Sequence, residues 1–152
     1  MMIHISKLRQ LTEKINLLNL GFFVECIVWN QGGIFGSVLN SKKMAYTFND
    51  PTLSQYPSVI NMYVPDKKIC LNEFFSVLLH ECGHVIDEDY ELDKKNSEIK
   101  AWFVSYYMAK KIPVLSSPGF FKVFNKTMKE KLVTYNVSDS EMVEIETFIK
   151  YI

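Results

Sequence analysis

Asn72-Glu73-Phe74-Phe75-Ser76-Val77-Leu78-Leu79-His80-Glu81-Cys82-Gly83-His84-Val85-Ile86 is the stretch that decides how this chain is read. Phe74, Phe75, Leu78, Leu79, Val85 and Ile86 recur at helical spacing, and Asn72 is the expected N-cap. Glu73 falls in the first turn, where a negative charge suits the helix dipole. Within this helix His80, Glu81 and His84 spell H-E-x-x-H. Residues i and i+4 share one face, so both imidazoles can reach one metal ion. Glu81 then lies beside the metal, placed to take a proton from a water activated there. The chain has three histidines in 152 residues. Random placement would give the pattern about 0.4% of the time, so chance is set aside.

A catalytic zinc usually takes three protein ligands and leaves a fourth position open. The one histidine outside the motif is His4, near the N-terminus. Cys82 is turned about 200° around the helix from His80 and points elsewhere. Asp87, Glu88, Asp89, Glu91 and Asp93 follow so closely that the chain would have to turn back sharply. The extended motif H-E-x-x-H-x-x-G-x-x-H fails, because Asp87 and Tyr90 occupy its glycine and final histidine positions. Glu98 is the favoured third ligand. It is expected in the first turn of the next helix, and Ala101, Ser105 and Ala109 continue its stripe with small residues that permit close helix packing. His4 and the acidic loop stay open as alternatives. Tyr90, Tyr106 and Tyr107 are the candidate phenols for stabilising an oxyanion.

Around this centre the pattern predicts an α+β fold in a single domain spanning 1–152. Leu8, Leu11, Ile15 and Leu18 mark a first helix, with Ser6 as N-cap and Gly21 as stop. Phe22 to Trp29, Ile34 to Leu39, Ala45 to Phe48 and Val59 to Val64 read as short strands, giving a small antiparallel sheet of three or four strands. Beyond the motif, helices are expected from Ser97 to Lys111, from Phe120 to Tyr135, and from Ser138, where Ser138 and Glu141 form a capping box. Gly83 is expected to permit a close approach by a neighbouring element.

At His80-Glu81-Cys82-Gly83-His84 followed by Glu98-Ile99-Lys100-Ala101, the chain resembles the gluzincin metallopeptidases. It looks most like the small ImmA/IrrE-type group, whose members carry H-E-x-G-H and then E-x-x-A on the following helix. The resemblance covers roughly Val59 to Ala109. Trp102 departs from it, standing where that group often has asparagine or aspartate. The resemblance implies a zincin-like active-site helix, one Zn2+ per chain, and endopeptidase action on a specific protein such as a repressor or other regulator.

Composition agrees with an ordered globular domain. Hydrophobic residues make up 48% of the chain, and seventeen basic residues balance seventeen acidic ones. No global field attracts nucleic acid or anionic lipid, so neither is expected as a partner. The basic run Lys122 to Lys131 reads as a solvated helix face. Cys26, Cys70 and Cys82 lack C-x-x-C spacing and suit a reducing compartment as small apolar groups. No apolar run is long enough for a membrane span, and no signal peptide is evident, so a cytoplasmic protein is expected. The competing reading is a zinc-stabilised or metal-sensing interaction module without turnover. Retention of Glu81 speaks against it, because a purely structural site needs no general base.

Overall fold

In the computed structural model, which describes residues 1–152, α3 (Leu71–Ile86) carries the motif and separates two apolar clusters. Phe74, Val77, Leu78, Cys82 and Val85 face a sheet, whereas Leu79 faces the remaining helices. His80, Glu81 and His84 therefore lie along the seam between the clusters. α3 begins earlier than expected: Cys70 is its N-cap and makes no side-chain capping bond. Asn72 is inside the first turn, where its carbonyl accepts from Ser76 Oγ at 2.7 Å.

Three strands form the sheet, in the order β2 (Phe22–Val28), β4 (Ser58–Val64), β3 (Phe35–Leu39). Burial alternates along β4, with Ile60, Met62 and Val64 turned into the core beside Val24 and Cys26 of β2, as period-2 strands require. The expected antiparallel meander is corrected here. β3 pairs antiparallel with β4, but β2 runs parallel to it, with Phe22 opposite Ser58 and Val28 opposite Val64. The returning chain enters between β2 and β3, which leaves β3 as an edge. Ala45 to Phe48 is not a strand. It belongs to α2 (Ser41–Thr47) and its C-cap, because the Asn40 side chain accepts from the Lys42 and Lys43 N–H groups and starts a helix there. A short 3-10 turn, Pro51–Gln55, then leads back into β4.

The N-terminus adds a two-residue strand, β1 (Met2–Ile3), antiparallel to β5 (Ile69–Cys70). α1 (Ile5–Leu17) is capped by His4 rather than Ser6, and ends at Leu18 ahead of Asn19 at φ +55°. Its Ile5 and Leu8 cover the sheet.

The second cluster is built by α4 (Lys94–Lys111), α5 (Pro118–Val133) and α6 (Asp139–Ile149) around Trp102, Phe120, Phe124, Met128 and Leu132. α4 starts one turn before Ser97 because Asp93 accepts from the Asn96 N–H, and α5 starts at Pro118 under a Ser117 cap. The Ser138–Glu141 capping box is present as expected. Lys95–Glu141 at 2.6 Å and Lys129–Glu146 at 2.8 Å tie α4 and α5 to α6. No helix is long and apolar enough to cross a membrane.

Candidate metal centre

Helical spacing on α3 brings His80 and His84 together, and α4 supplies Glu98 from across the seam. The approach is close because Gly83 has no side chain: a Cβ there would lie 2.6 Å from the Ala101 carbonyl oxygen. The small residues Ala101, Ser105 and Ala109 on α4 are all buried. Glu98 Oε2 lies 2.6 Å from His80 Nε2 and 3.3 Å from His84 Nε2, and the two imidazole nitrogens are 3.2 Å apart.

These three residues form a group that could hold a metal ion, their donor atoms lying within 4.8 Å of one another. Tetrahedral coordination at about 2.0–2.1 Å sets donor–donor spans of about 3.3–3.4 Å. Two sides of the triangle already have that span, and the His80–Glu98 side need open by only about 0.7 Å. The donor set fits.

The electrostatics of His80 and Glu98 favour the same use. Burial pulls His80 down to about 4 and keeps the imidazole neutral, as a ligand must be. Glu98 is ionised well below the usual carboxylate range: burial opposes its charge, but hydrogen bonds from His80 and His84 outweigh that. Burial also opposes charge on His84, yet the carboxylates of Glu98, Glu81 and Glu88 outweigh it and raise its affinity for a proton. Lys94 Nζ holds the other oxygen of Glu98 at 3.1 Å.

Glu81 is 7% exposed, and burial raises its carboxyl to about 7. That value suits a group that must take and return a proton near neutral pH. Gly36 of β3 lies directly against it: a Cβ at position 36 would be 2.5 Å from Glu81 Cγ. Glu81, the three donor residues and β3 line one cavity of about 460 Å³.

No family model, curated protein or solved structure matches this chain. The candidate centre is thus defined by its own geometry.

Of the alternative ligands, His4 is remote, paired with Asp66 at 3.2 Å on the surface. In the acidic loop Asp87 and Asp89 face Lys100, Glu91 accepts from Tyr46, and Asp93 caps α4. Glu88 alone turns to the centre, and to the outside of it. Its Oε2 lies 2.8 Å from His84 Nδ1, and its Oε1 accepts from Ser97 Oγ at 3.0 Å. Such a carboxylate fixes the tautomer and orientation of a ligating histidine. Asn40 donates to the His84 carbonyl at 2.8 Å, satisfying a group at the C-terminal end of α3.

Among the candidate phenols, Tyr90 lines the cavity and stacks on Tyr46 at 5.0 Å. Tyr106 packs against Phe121 and Phe124, and Tyr107 lies on the surface beneath Lys111. Neither lines the cavity, because the helical turn carries positions 106 and 107 away from the Glu98 face. Sequence reasoning missed Tyr135. It follows α5, lines the cavity with Lys131, and has Lys94 Nζ 5.7 Å from its ring centroid. Burial raises its hydroxyl above the usual range, and the Glu98 carboxylate adds to this. Lys131 lies in the last turn of α5 and Tyr135 in the turn that follows its end at Val133, and both line the cavity. The cysteines are free, and burial pushes the Cys82 thiol up to about 12, which leaves it unreactive.

Proposed function

We propose that this chain is a zinc-dependent endopeptidase acting on a specific protein, with His80, His84 and Glu98 as ligands and Glu81 as general base. The observation that carries the reading is the convergence of Glu98 from α4 on the two motif histidines, in the cavity that Glu81 also lines. The resemblance to the ImmA/IrrE-type gluzincins supports the same chemistry.

A zinc ion held by these three residues would polarise a substrate carbonyl and acidify a water. Glu81 would take a proton from a water attacking the peptide carbon. The same carboxylic acid then gives the proton to the departing amine as the C–N bond breaks. Tyr135 donates its O–H to the oxygen on which negative charge develops. Glu88 and Ser97 hold His84 in register throughout.

The substrate would lie along β3. Of the segments expected as strands, Val59–Val64 lies in the central strand and Ala45–Phe48 in α2 and its C-cap, so neither offers an open edge. β3 is an edge strand, and Phe35, Gly36, Ser37 and Val38 line the cavity. An extended peptide can pair with such an edge backbone to backbone.

Zinc-loaded protein incubated with a proteome-derived peptide library, read by mass spectrometry, tests the reading. New peptide termini are expected with wild type and none with Glu81→Gln, which should keep its metal and fold. Absence of new termini in both would favour a zinc-binding interaction module instead. Tyr135→Phe should lower kcat by about 10²-fold with little change in KM, as loss of one oxyanion donor does.

A further inference from the structure

The two motif histidines are held by different means. His84 has Glu88 on its outer nitrogen, whereas His80 Nδ1 is buried with no hydrogen-bond partner. A metal-ligating histidine almost always donates this second N–H to a carboxylate, carbonyl or water, which fixes the ring plane. His80 instead lies against the indole of Trp102. The ring centroids are 4.2 Å apart and the planes are inclined by 23°.

Trp102 is itself immobilised. It is 1% exposed, and its ring meets Phe124 edge-on at 5.3 Å and 82°. It lies four residues after Glu98 on α4, so a single helical face delivers both the third donor and the aromatic surface. The contact of Gly83 with the Ala101 carbonyl sets the depth at which this face docks on α3. Indole nitrogen only donates, so Trp102 offers no acceptor to His80 Nδ1–H. What it offers is a flat, rigid face.

We propose that Trp102 is a positioning residue that orients His80 toward the metal by ring stacking, in place of the hydrogen bond that orients His84. The inference rests on the metal-centre reading above. It assigns a use to the departure from asparagine or aspartate at this position. It also makes His80 the ligand whose hold on the metal depends on packing in the helical cluster. Disturbing the Trp102–Phe124 contact loosens the metal without touching a ligand.

The test compares wild type, Trp102→Phe and Trp102→Leu by zinc affinity, measured in competition with a chelator, and by NMR of the His80 ring protons in metal-free protein. Phenylalanine keeps a stacking face, and its zinc affinity should stay within about threefold of wild type. Leucine keeps an apolar filling without one and should lose at least about tenfold, the scale for an outer-shell partner. Ring-current shifts of the His80 protons should be present in wild type, reduced but present with Phe, and absent with Leu. Wild-type zinc affinity in a folded Leu variant would overturn the proposal while leaving the metal centre intact. Failure of wild type to bind zinc would overturn the metal reading and the proposal with it. If the Leu variant does not fold, unshifted His80 protons in wild type alone would overturn it.

Discussion

Gly83→Ala tests how the third donor is brought into place. The new Cβ would lie 2.6 Å from Ala101 O and 3.3 Å from its C and Cα, against an ordinary contact of at least 3.4 Å. The obstacle is backbone, so relief requires α4 to retreat by about 0.8 Å at Ala101. Two effects then compete. Alanine is the better helix former by about 1 kcal/mol, whereas overpacking a close helix contact costs about 1–3 kcal/mol. The clash wins by about 1 kcal/mol, which lowers Tm by about 2–4 °C in a chain of this size. The larger consequence concerns the metal. Glu98 lies one turn before Ala101, and donor distances tolerate only about 0.2 Å. Zinc affinity should fall at least about tenfold, a larger effect than the change in stability. Urea denaturation of metal-free protein and chelator competition for zinc measure the two separately. A raised urea midpoint with undiminished zinc affinity would refute the claim that the Gly83–Ala101 contact sets the position of Glu98.

Gly36→Ala should act on Glu81 instead: its Cβ would strike that side chain at 2.5 Å, so under the proposed function the variant should keep zinc and lose at least about tenfold in cleavage rate. Unchanged turnover would show that Glu81 acts from another position. Glu88→Gln removes the carboxylate on His84 Nδ1 and should weaken zinc about 10–100-fold by chelator competition, with Ser97→Ala a milder step in the same direction. In metal-free protein the Glu81 carboxyl keeps its proton up to about pH 7 when folded and releases it near 4.5 when unfolded. Its neutral form therefore stabilises the fold fully below pH 4.5, and that contribution is lost as pH rises through 7. Relative to Glu81→Gln, wild type should lose about 3 kcal/mol between pH 4.5 and 8 in urea titrations. A pH-independent difference would contradict the assignment.

The site was legible in the sequence as far as local periodicity reaches. His80, Glu81 and His84 follow from helical spacing, and Glu98 follows from counting the remaining donors and noting the small residues behind it; the structure brings His80, His84 and Glu98 together. The boundaries slipped where a nearer cap competed, with Asp93 starting α4 before Ser97 and His4 starting α1 before Ser6. Ala45 to Phe48 looked like a strand because tyrosine and phenylalanine suit pleated surfaces, but the Asn40 side chain captures the adjoining N–H groups first. The parallel pairing of β2 with β4 is set by where the chain re-enters the sheet, which no local pattern records. Tyr135 is joined to the centre only by the docking of α5, so nothing in its neighbourhood marked it. Glu88 was visible as a carboxylate four residues after His84; its use as an outer partner rather than a ligand depends on the turn after Ile86.

Metal content per chain, measured by elemental analysis on freshly purified protein never exposed to chelators, tests the central claim most directly. Wild type should carry about one zinc, and His80→Ala and Glu98→Ala should each carry almost none while remaining folded. A wild type without zinc, or a folded Glu98→Ala that retains it, would contradict the His80–His84–Glu98 centre.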